Sequence, residues 1–574
     1  MNMPISSTLA AQSVQPTQAE LPLALDLVYQ REKSSPDQLY MTQPVGQGKV
    51  LTYTWGEMMQ EVRRMAAYLK GLELAPQSNI AIMSKNCAQW IMADLAIWMA
   101  GHVSVPLYPT LNGDTVSYIL EHSEAKLLFV GKLDDWAEMQ QGVPDGLQCV
   151  AFDLAPEDAS QKYPSWQSVV LQQSALNKPV TREKDEVATI VYTSGSTGKP
   201  KGVMLTFEAM ALAAKGITEA LSIHEKDRML SYLPLSHVME RFIVEMGSLR
   251  SGFKVYFAET LDTFVADLNR ARPTLFIAVP RIWTKFQSGI FAKMPPKKLE
   301  RMLKVPLLKR VVKKKILRTL GLEEVRFAGS GSAPLSSEIV AWYRNLGLEL
   351  LEAYGMSENF AYSHSSQPGR SRIGYVGEPL PGVDCRIAED GEIQVKSVAS
   401  MLGYYKDEEK TAEAFTEDGY LRTGDRGEMD ELGRLKITGR TKEIFKTSKG
   451  KYVAPAPIEN KLVNHPQIEM VCVTGANQPQ PHAMVMLSED AQPKLNDAAF
   501  REELSKSLEA LIKQVNAQLD PHEHLSFACV IAEPWTIENG FLTPTLKLKR
   551  NVVEEAYGAL QDGWYAARKK VVFL

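Results

Sequence analysis

The chain has 574 residues, of which 45% are hydrophobic and 23% are charged. These proportions are ordinary for a globular protein and exclude a mainly disordered, collagenous or low-complexity chain. The 64 basic and 68 acidic residues give a net charge of −4, so no global basic excess favours nucleic-acid binding. The five cysteines form no CxxC pair, which favours a reduced, cytoplasmic protein over a disulfide-rich or zinc-stabilised one.

The first two thirds of the chain alternate between predicted helices and short apolar strands. Residues 1–20 are rich in Ser, Thr and Gln and lack the basic start of a secretory signal, so we predict a disordered tail. Helical spacing at 57–72 predicts a helix, and the apolar stretch at 90–108 predicts a buried helix running into a buried strand. The alternation predicts an α/β fold with mainly parallel, doubly covered sheets. Further strands are predicted at 79–84, 126–131, 188–195, 254–258 and 274–280.

The pattern changes after Gly382. Alternating polar and apolar residues around the turn at 389–391 predict a β-hairpin, and residues 433–440 predict another strand. A Lys-rich loop, a helix start, a strand and a last helix near 552–569 follow. The predicted organisation is a large N-terminal domain with a β-rich subdomain (21–438), a boundary at 439–442 and a small α+β C-terminal domain (443–574).

A glycine-rich loop follows the buried strand ATIV. Its sequence, YTSGSTGKPKGV at 192–203, contains three glycines, two serines, two threonines and two lysines. Accessible amides, hydroxyls and lysine charges suit phosphate oxygens. Pro200 stands where a Walker A loop needs Ser or Thr, so the loop is not of that type. The composition alone leaves two interpretations open, a phosphate-binding loop and a flexible surface turn.

With its other motifs, the chain resembles the adenylate-forming superfamily of acyl-CoA synthetases, luciferases and peptide-synthetase adenylation domains. The resemblance runs over residues 25–555, and several segments are similar to the long-chain fatty acyl-CoA synthetases. Leu546 replaces the Gly of the more usual TxxGKxxR motif, a departure that the long-chain branch shares. After the loop, the motifs follow in the family's order: YLPLSHVMER (232–241), GSGSAPL (329–335), YGMSE (354–358), YLRTGD (420–425), GRTKE (439–443) and LTPTLKLKR (542–550).

The resemblance implies a two-step reaction. A carboxylate attacks the α-phosphate of ATP to give an acyl adenylate and pyrophosphate, and a thiol then attacks the acyl carbon and releases AMP. The implied substrates are a long-chain fatty acid, ATP and CoA, with Mg²⁺ as the metal. The resemblance also implies that the C-terminal domain is mobile and rotates about Lys442 between the steps, and that Gly450 lines the path of CoA.

The same resemblance assigns the nucleotide site. Glu358 is implied to bind Mg²⁺, since a hard cation prefers carboxylate oxygen. Asp425 is implied to accept the ribose hydroxyls, and Tyr354 to stack on adenine. The other implied ATP- and AMP-binding residues are Thr193, Ser194, Gly195, Ser196, Thr197, Gly198, Lys199, Ser332, Ala333, Pro334, Gly355, Ser357 and Arg440.

Three residues are implied to act in the chemistry: Lys547, His237 and Glu358. The family's register puts the catalytic lysine at Lys547 rather than Lys549, and it puts His237 near the acyl carboxylate. A compact ammonium on Lys547 suits a site where two anions meet.

The segment 297–320 carries ten Lys or Arg residues against one Glu, with apolar residues interleaved. Two interpretations stay open: a solvated helix face, and a peripheral contact with the anionic inner face of a membrane. Pro306 predicts a break in any single long helix there.

The sequence therefore predicts an acid–thiol ligase, an AMP-forming long-chain fatty acid–CoA ligase of lipid metabolism. Three alternatives stay open: a fatty acyl-AMP ligase that loads a carrier protein, a medium-chain or aryl acid–CoA ligase, and a non-catalytic ATP- or acyl-binding regulator. The motif residues Glu358, Asp425, Arg440 and Lys547 argue against the regulator.

Overall fold

The computed structural model describes residues 21–193, 199–333, 335–543 and 546–574. The predicted tail at 1–20, the loop residues 194–198 and Pro334 lie outside the described residues.

The described strands, in chain order, are β1 Leu39–Pro44, β2 Val50–Thr54, β3 Asn79–Met83, β4 Val103–Leu107, β5 Leu127–Val130, β6 Gln148–Ala151, β7 Val187–Thr193, β8 Lys201–Thr206, β9 Arg228–Ser231, β10 Lys254–Phe257, β11 Leu275–Ala278, β12 Phe327–Ser330, β13 Leu350–Tyr354, β14 His364–Ser365, β15 Glu378–Pro379, β16 Val383–Ile387, β17 Glu392–Ser397, β18 Gly403–Tyr404, β19 Leu421–Met429, β20 Leu435–Arg440, β21 Phe445–Lys446, β22 Tyr452–Val453, β23 Ile468–Thr474, β24 His482–Leu487, β25 Ala528–Ile531 and β26 Val571–Phe573.

The described α-helices are α1 Ala24–Ser34, α2 Trp55–Gly71, α3 Ala88–Ala100, α4 Gly113–His122, α5 Trp136–Met139, α6 Glu157–Lys162, α7 Trp166–Leu171, α8 Phe207–Ala220, α9 Val238–Glu240, α10 Gly247–Ser251, α11 Phe264–Ala271, α12 Pro280–Lys293, α13 Pro296–Lys304, α14 Pro306–Thr319, α15 Ser337–Leu346, α16 Glu408–Ala414, α17 Pro455–Leu462, α18 Ala498–Asn516, α19 Arg550–Tyr557 and α20 Gln561–Ala567. A π-helical turn at Arg241–Met246 joins α9 to α10.

Two large sheets build the N-terminal domain. Among the described residues, one has the order β15-β14-β13-β12-β11-β9-β10-β1-β2 and the other the order β18-β8-β7-β4-β3-β5-β6. Their central strands pair in parallel, and antiparallel pairs occur at β1–β2, β7–β8, β8–β18 and β13–β14–β15. Helix α3 is buried along its whole length and belongs to a core that includes residues of both sheets. A helix that is buried on all sides needs such a doubly covered position, so the predicted α/β class is confirmed.

Smaller sheets complete the chain. Strands β16-β17-β19-β20 form an antiparallel sheet that corresponds to the predicted β-rich subdomain. Strands β23-β24-β25-β26 form the C-terminal sheet, whose apolar face packs in a core with α17 and α18. A 3-10 turn, Thr441–Glu443, connects the two parts at the predicted boundary.

Two predicted helical segments are each divided into two helices, one at a proline and one at a glycine. Pro306 separates α13 from α14 and occupies the first turn of α14, where its missing N–H costs nothing. The single helix predicted near 552–569 was wrong, because α19 and α20 are separated by a 3-10 turn at Gly558–Leu560. Glycine is a poor helix former, which favours the break at this point.

No described helix combines the length and apolar character needed to cross a bilayer.

Candidate active site

The glycine-rich loop leaves β7 at Thr193 and returns through β8, which begins at Lys201. Lys199, the first described residue after the loop, places its Nζ 5.0 Å from the ring centroid of Tyr118. The Tyr118 hydroxyl donates a hydrogen bond of 3.2 Å to the carbonyl of Pro200. The predicted binding residues Ser194, Gly195, Ser196, Thr197 and Gly198 lie outside the described residues. The structure therefore locates the two ends of the predicted phosphate loop.

The YGMSE motif follows the carboxyl end of β13, the side of a parallel sheet where ligands usually bind. A Cβ added to Gly355 would lie 2.5 Å from the backbone of Ala361, so only glycine fits here without a backbone shift. Ser357 begins a 3-10 turn that contains Glu358. The carboxylate Oε1 of Glu358 accepts a 2.8 Å hydrogen bond from the Tyr404 hydroxyl. The predicted metal ligand thus has a fixed partner.

Asp425 lies where β19 and β20 pair, directly opposite Arg440. Its Oδ1 accepts from Arg440 Nε at 3.1 Å, and its Oδ2 accepts from the Tyr354 hydroxyl at 2.7 Å. Burial and the neighbouring charge of Asp425 raise the pKa of Tyr354 well above its usual value, so the phenol stays a donor. Three residues predicted for nucleotide binding are therefore in one contact group.

Lys547 extends from a short hairpin in the C-terminal domain. Its amide donates to Thr543 Oγ1 at 3.1 Å, and its carbonyl accepts from the Thr543 amide at 2.8 Å. Lys549 pairs with the hairpin's other arm through Phe541 and directly precedes α19. The hairpin therefore holds the two lysines in different surroundings.

The ammonium of Lys547 lies among charges from both domains. Part of its surface stays exposed, yet the surrounding protein removes enough solvent to lower its pKa, and the charge of Arg440 acts in the same direction. The carboxylates of Asp425, Glu358 and Glu443 oppose that shift. The predicted lysine, metal ligand and ribose ligand are thus close enough for their charges to interact.

His237 faces the same cluster from the N-terminal domain. Burial lowers its pKa to about 4, and the charge of Lys547 contributes to the shift. Its Nδ1 accepts from the Met239 amide at 3.1 Å, so the neutral ring carries its proton on Nε2. At neutral pH His237 is therefore an uncharged donor, which suits contact with a carboxylate oxygen.

A buried polar network fixes the loop that carries His237. Glu240 Oε1 accepts from Ser231 Oγ at 2.8 Å and from the Tyr232 amide at 3.1 Å. Asn86 Oδ1 accepts from the Leu235 amide at 2.9 Å. Burial raises the pKa of Glu240 to about 8. These hydrogen bonds fix the conformation of the loop between β9 and α9, here called the histidine loop.

The remaining predicted residues are less closely associated with this cluster. Ser332, with Ala333 beside it, has a φ of +68° and places its Oγ 3.9 Å from Met239 Sδ, next to the histidine loop. Lys442 is exposed within its 3-10 turn. Gly450 lies at the turn between β21 and β22, where its amide donates to Thr447, so its contacts belong to its own hairpin.

Three contacts were not predicted from the sequence. Tyr404 contacts Glu358 across 46 residues of sequence, and Glu240 supports the histidine loop. Arg550 anchors the start of α19 by donating to the Val473 carbonyl at 2.7 Å and to Glu459 at 2.6 Å. None of these pairs has a recognisable spacing along the chain.

An ion pair also joins the two domains. Arg281, near the start of α12, pairs with Glu469 on β23. The Arg281 side chain is 43% exposed and Glu469 only 16%, so the interface covers mainly the carboxylate. Together with Lys547, this pair defines the domain arrangement seen here.

The described residues contain no group of three or more His, Cys, Asp or Glu side chains close enough to hold a metal ion. Glu358, the predicted metal ligand, supplies one carboxylate. This fits Mg²⁺, which proteins usually hold with one or two carboxylates, the phosphates of a nucleotide and water.

Leu546, the residue that replaces glycine in the lysine hairpin, has a φ of +59° and is 50% exposed. A left-handed conformation is rare for residues with a side chain and is worst for β-branched ones. We expect Leu546→Gly to keep full adenylation activity and Leu546→Ile to lose about tenfold, because strain of ~1–3 kcal/mol would displace Lys547. Pyrophosphate release from both variants tests this, and equal activity would show that the turn does not position the lysine.

Comparisons with known proteins identify the family of the chain. The AMP-binding enzyme family model matches residues 29–405, and the model for the AMP-binding enzyme C-terminal domain matches residues 442–569. The chain therefore belongs to the AMP-binding enzyme family. This finding confirms the family resemblance of the motifs.

The chain is also similar to individual fatty acid–CoA ligases and to solved structures. The chain is 31% identical to long-chain-fatty-acid–CoA ligase FadD15 of Mycobacterium bovis, covering 93% of this chain and 95% of that protein. It is 29% identical to long-chain-fatty-acid–CoA ligase 1 of Cavia porcellus, covering 90% and 83%. The adenylation domain of a carboxylate reductase from Mycobacterium chelonae has the same fold, with a TM-score of 0.80, 23% identity and coverage of 96% and 92%.

Proposed function

We propose that this protein is an AMP-forming long-chain fatty acid–CoA ligase. The observation that carries the proposal is the convergence of Lys547, Asp425, Arg440, Glu358 and His237 between two domains of an AMP-binding enzyme. The relatives named as long-chain fatty acid–CoA ligases support the substrate class.

The residues have separate proposed roles. The glycine-rich loop holds the β- and γ-phosphates of ATP, Asp425 accepts the ribose hydroxyls, and Tyr354 stacks on adenine. Glu358 binds Mg²⁺, which when bound neutralises phosphate charge. His237 donates its Nε2 proton to the acyl carboxylate as a hydrogen bond. Lys547 draws the carboxylate and the α-phosphate together, and its cation stabilises the charge that builds during attack.

A panel of acids tests the reaction. With ATP, Mg²⁺, CoA and palmitate we expect AMP, pyrophosphate and palmitoyl-CoA, and a lower kcat/KM with octanoate and benzoate. Pyrophosphate release without CoA consumption would instead indicate a ligase that loads a carrier protein. A preference for benzoate would indicate an aryl acid ligase. If no acid gives AMP or pyrophosphate, the non-catalytic regulator is favoured.

The proposal includes a peripheral membrane contact through α13 and α14. Their ten basic side chains form no ion pair with a described residue, while Leu299, Leu303, Val312 and Ile316 bind these helices to the core. Val305, Leu308 and Val311 are exposed to 46%, 45% and 66% at the junction of the two helices. Exposed apolar residues among unpaired cations suit the surface of an anionic bilayer, from which a fatty acid would be taken.

Replacing Lys304, Lys309 and Lys314 with Gln should weaken binding to phosphatidylserine vesicles on the order of 100-fold at low salt. Each lysine near such a surface contributes about 1 kcal/mol. The control replaces Lys494, Lys513 and Lys569, which are exposed in the C-terminal domain. Vesicle sedimentation measures the binding, and equal affinities of the two triple variants, or insensitivity to salt, would contradict the contact.

A further inference from the structure

Tyr404 lies between two parts of the proposed ATP site that are far apart in the sequence. Its hydroxyl donates to Glu358 Oε1 at 2.8 Å, and the Nζ of Lys201 lies 4.6 Å from its ring centroid. Lys201 begins the strand that returns from the glycine-rich loop. One side chain therefore contacts both the proposed metal ligand and the root of the proposed phosphate loop.

The backbone around Tyr404 is fixed to the same two parts. Strand β18 pairs with β8, with Gly403 opposite Met204 and Tyr404 opposite Val203. The Met401 amide donates to the carbonyl of Glu358 at 2.7 Å, so this segment holds Glu358 at its backbone as well as at its carboxylate. The Tyr404 amide is itself held by Thr411 Oγ1 at 2.8 Å.

The contact has the properties of a permanent hydrogen bond. Tyr404 is only 8% exposed. At 2.8 Å the phenol O–H donates and the carboxylate oxygen of Glu358 accepts. The bond occupies one carboxylate oxygen and restricts the rotation of the Glu358 side chain.

We infer that Tyr404 is a positioning residue that orients the Glu358 carboxylate for the Mg²⁺ that accompanies ATP. The inference rests on the proposed function. Mg²⁺ requires nearly ideal octahedral geometry, so a freely rotating carboxylate is a weaker ligand than a fixed one. Partners that hold metal-ligating groups typically contribute 10–100-fold in metal affinity.

The test uses the full chain with Tyr404→Phe, which removes the hydroxyl and keeps the ring under Lys201. The control is Tyr405→Phe, because the neighbouring ring packs instead near His122 at 5.9 Å. Calorimetry measures binding of a non-hydrolysable ATP analogue over a series of Mg²⁺ concentrations, and binding of AMP without metal. Thermal unfolding verifies that each variant is folded.

We expect Tyr404→Phe to need about tenfold more Mg²⁺ for analogue binding, with unchanged affinity for AMP, while Tyr405→Phe matches the wild type. The rate of thioester formation from supplied acyl-AMP and CoA should also stay unchanged. If the wild type shows Mg²⁺-dependent binding and Tyr404→Phe shows the same dependence, the positioning role is overturned alone. If the wild type binds no nucleotide, the proposed function fails, and the inference fails with it. An equal loss for AMP and for the analogue would reduce Tyr404 to a structural role.

Discussion

Replacing Lys547 with Ala should lower the rate of adenylate formation by ~10²–10³, roughly 3–4 kcal/mol of transition-state stabilisation. The structure gives the reason, since the Lys547 ammonium lies among Arg440, Asp425 and Glu358 and close enough to His237 to affect its pKa. A preorganised cation at the α-phosphate matters most when charge builds there, which happens during carboxylate attack and not during thiol attack. Pyrophosphate release measures the first step, and conversion of supplied acyl-AMP with CoA measures the second.

Lys549 provides the matched control, because it has the same charge two residues further along the same hairpin. Its amide donates to the Phe541 carbonyl, and it directly precedes α19. We expect Lys549→Ala to change adenylation less than threefold, far below the ~10²–10³ expected for the active lysine. A large defect in Lys549→Ala beside an active Lys547→Ala would show that the register of this motif is wrong.

Replacing Lys442 with Pro should spare adenylate formation and slow thioester formation steeply. The expected loss is ~10² or more, the usual effect of losing one preorganised contact, here one that forms only in the rotated arrangement. Lys442 lies in a 3-10 turn, whose usual φ of about −60° is the value to which proline is restricted. The observed arrangement, with Lys547 in the cluster, should therefore remain accessible. A rotated arrangement needs new backbone angles at the hinge, and proline would oppose them.

Lys442→Ala serves as the control for this variant, because it removes the side chain and leaves the backbone free. Both half-reactions are measured separately, adenylation by pyrophosphate release and thioester formation from supplied acyl-AMP.

Rotation of the C-terminal domain must also break the ion pair between Arg281 and Glu469. The rate of thioester formation by the wild type should therefore increase with salt, which screens this pair. Equal losses in both steps of Lys442→Pro would place the pivot elsewhere.

Much of the fold was predictable because each element carries a local signal. The largely apolar stretch at 90–108 predicted a buried helix running into a buried strand, which are α3 and β4, and the alternation around Gly391 predicted the β16–β17 hairpin. Pro306 predicted the break between α13 and α14. The prediction of one terminal helix was wrong because apolar spacing continues through Gly558 while the backbone changes to a 3-10 turn.

The candidate site was predictable only in part, and the roles of its residues stay proposals. Ordered motifs pointed to Glu358, Asp425 and Lys547, since each stands in a short segment with a characteristic neighbourhood. The glycine at 355 also has a local cause, because the chain turns back on Ala361 within six residues. Such features depend on few consecutive residues, so a sequence can carry them.

By itself, the sequence determined the family, the α/β class, the order of elements and the identity of the charged residues. The tertiary structure decided which of these residues meet. The Tyr404–Glu358 contact, the support of the His237 loop by Glu240, and the approach of Lys547 to Arg440 join residues separated by 8 to more than 100 positions. Hydrogen bonds and charge interactions act over a few ångströms in space and leave no periodic trace along the chain. Only the packing of the sheets, and the position of the C-terminal domain against them, brings these groups within that range.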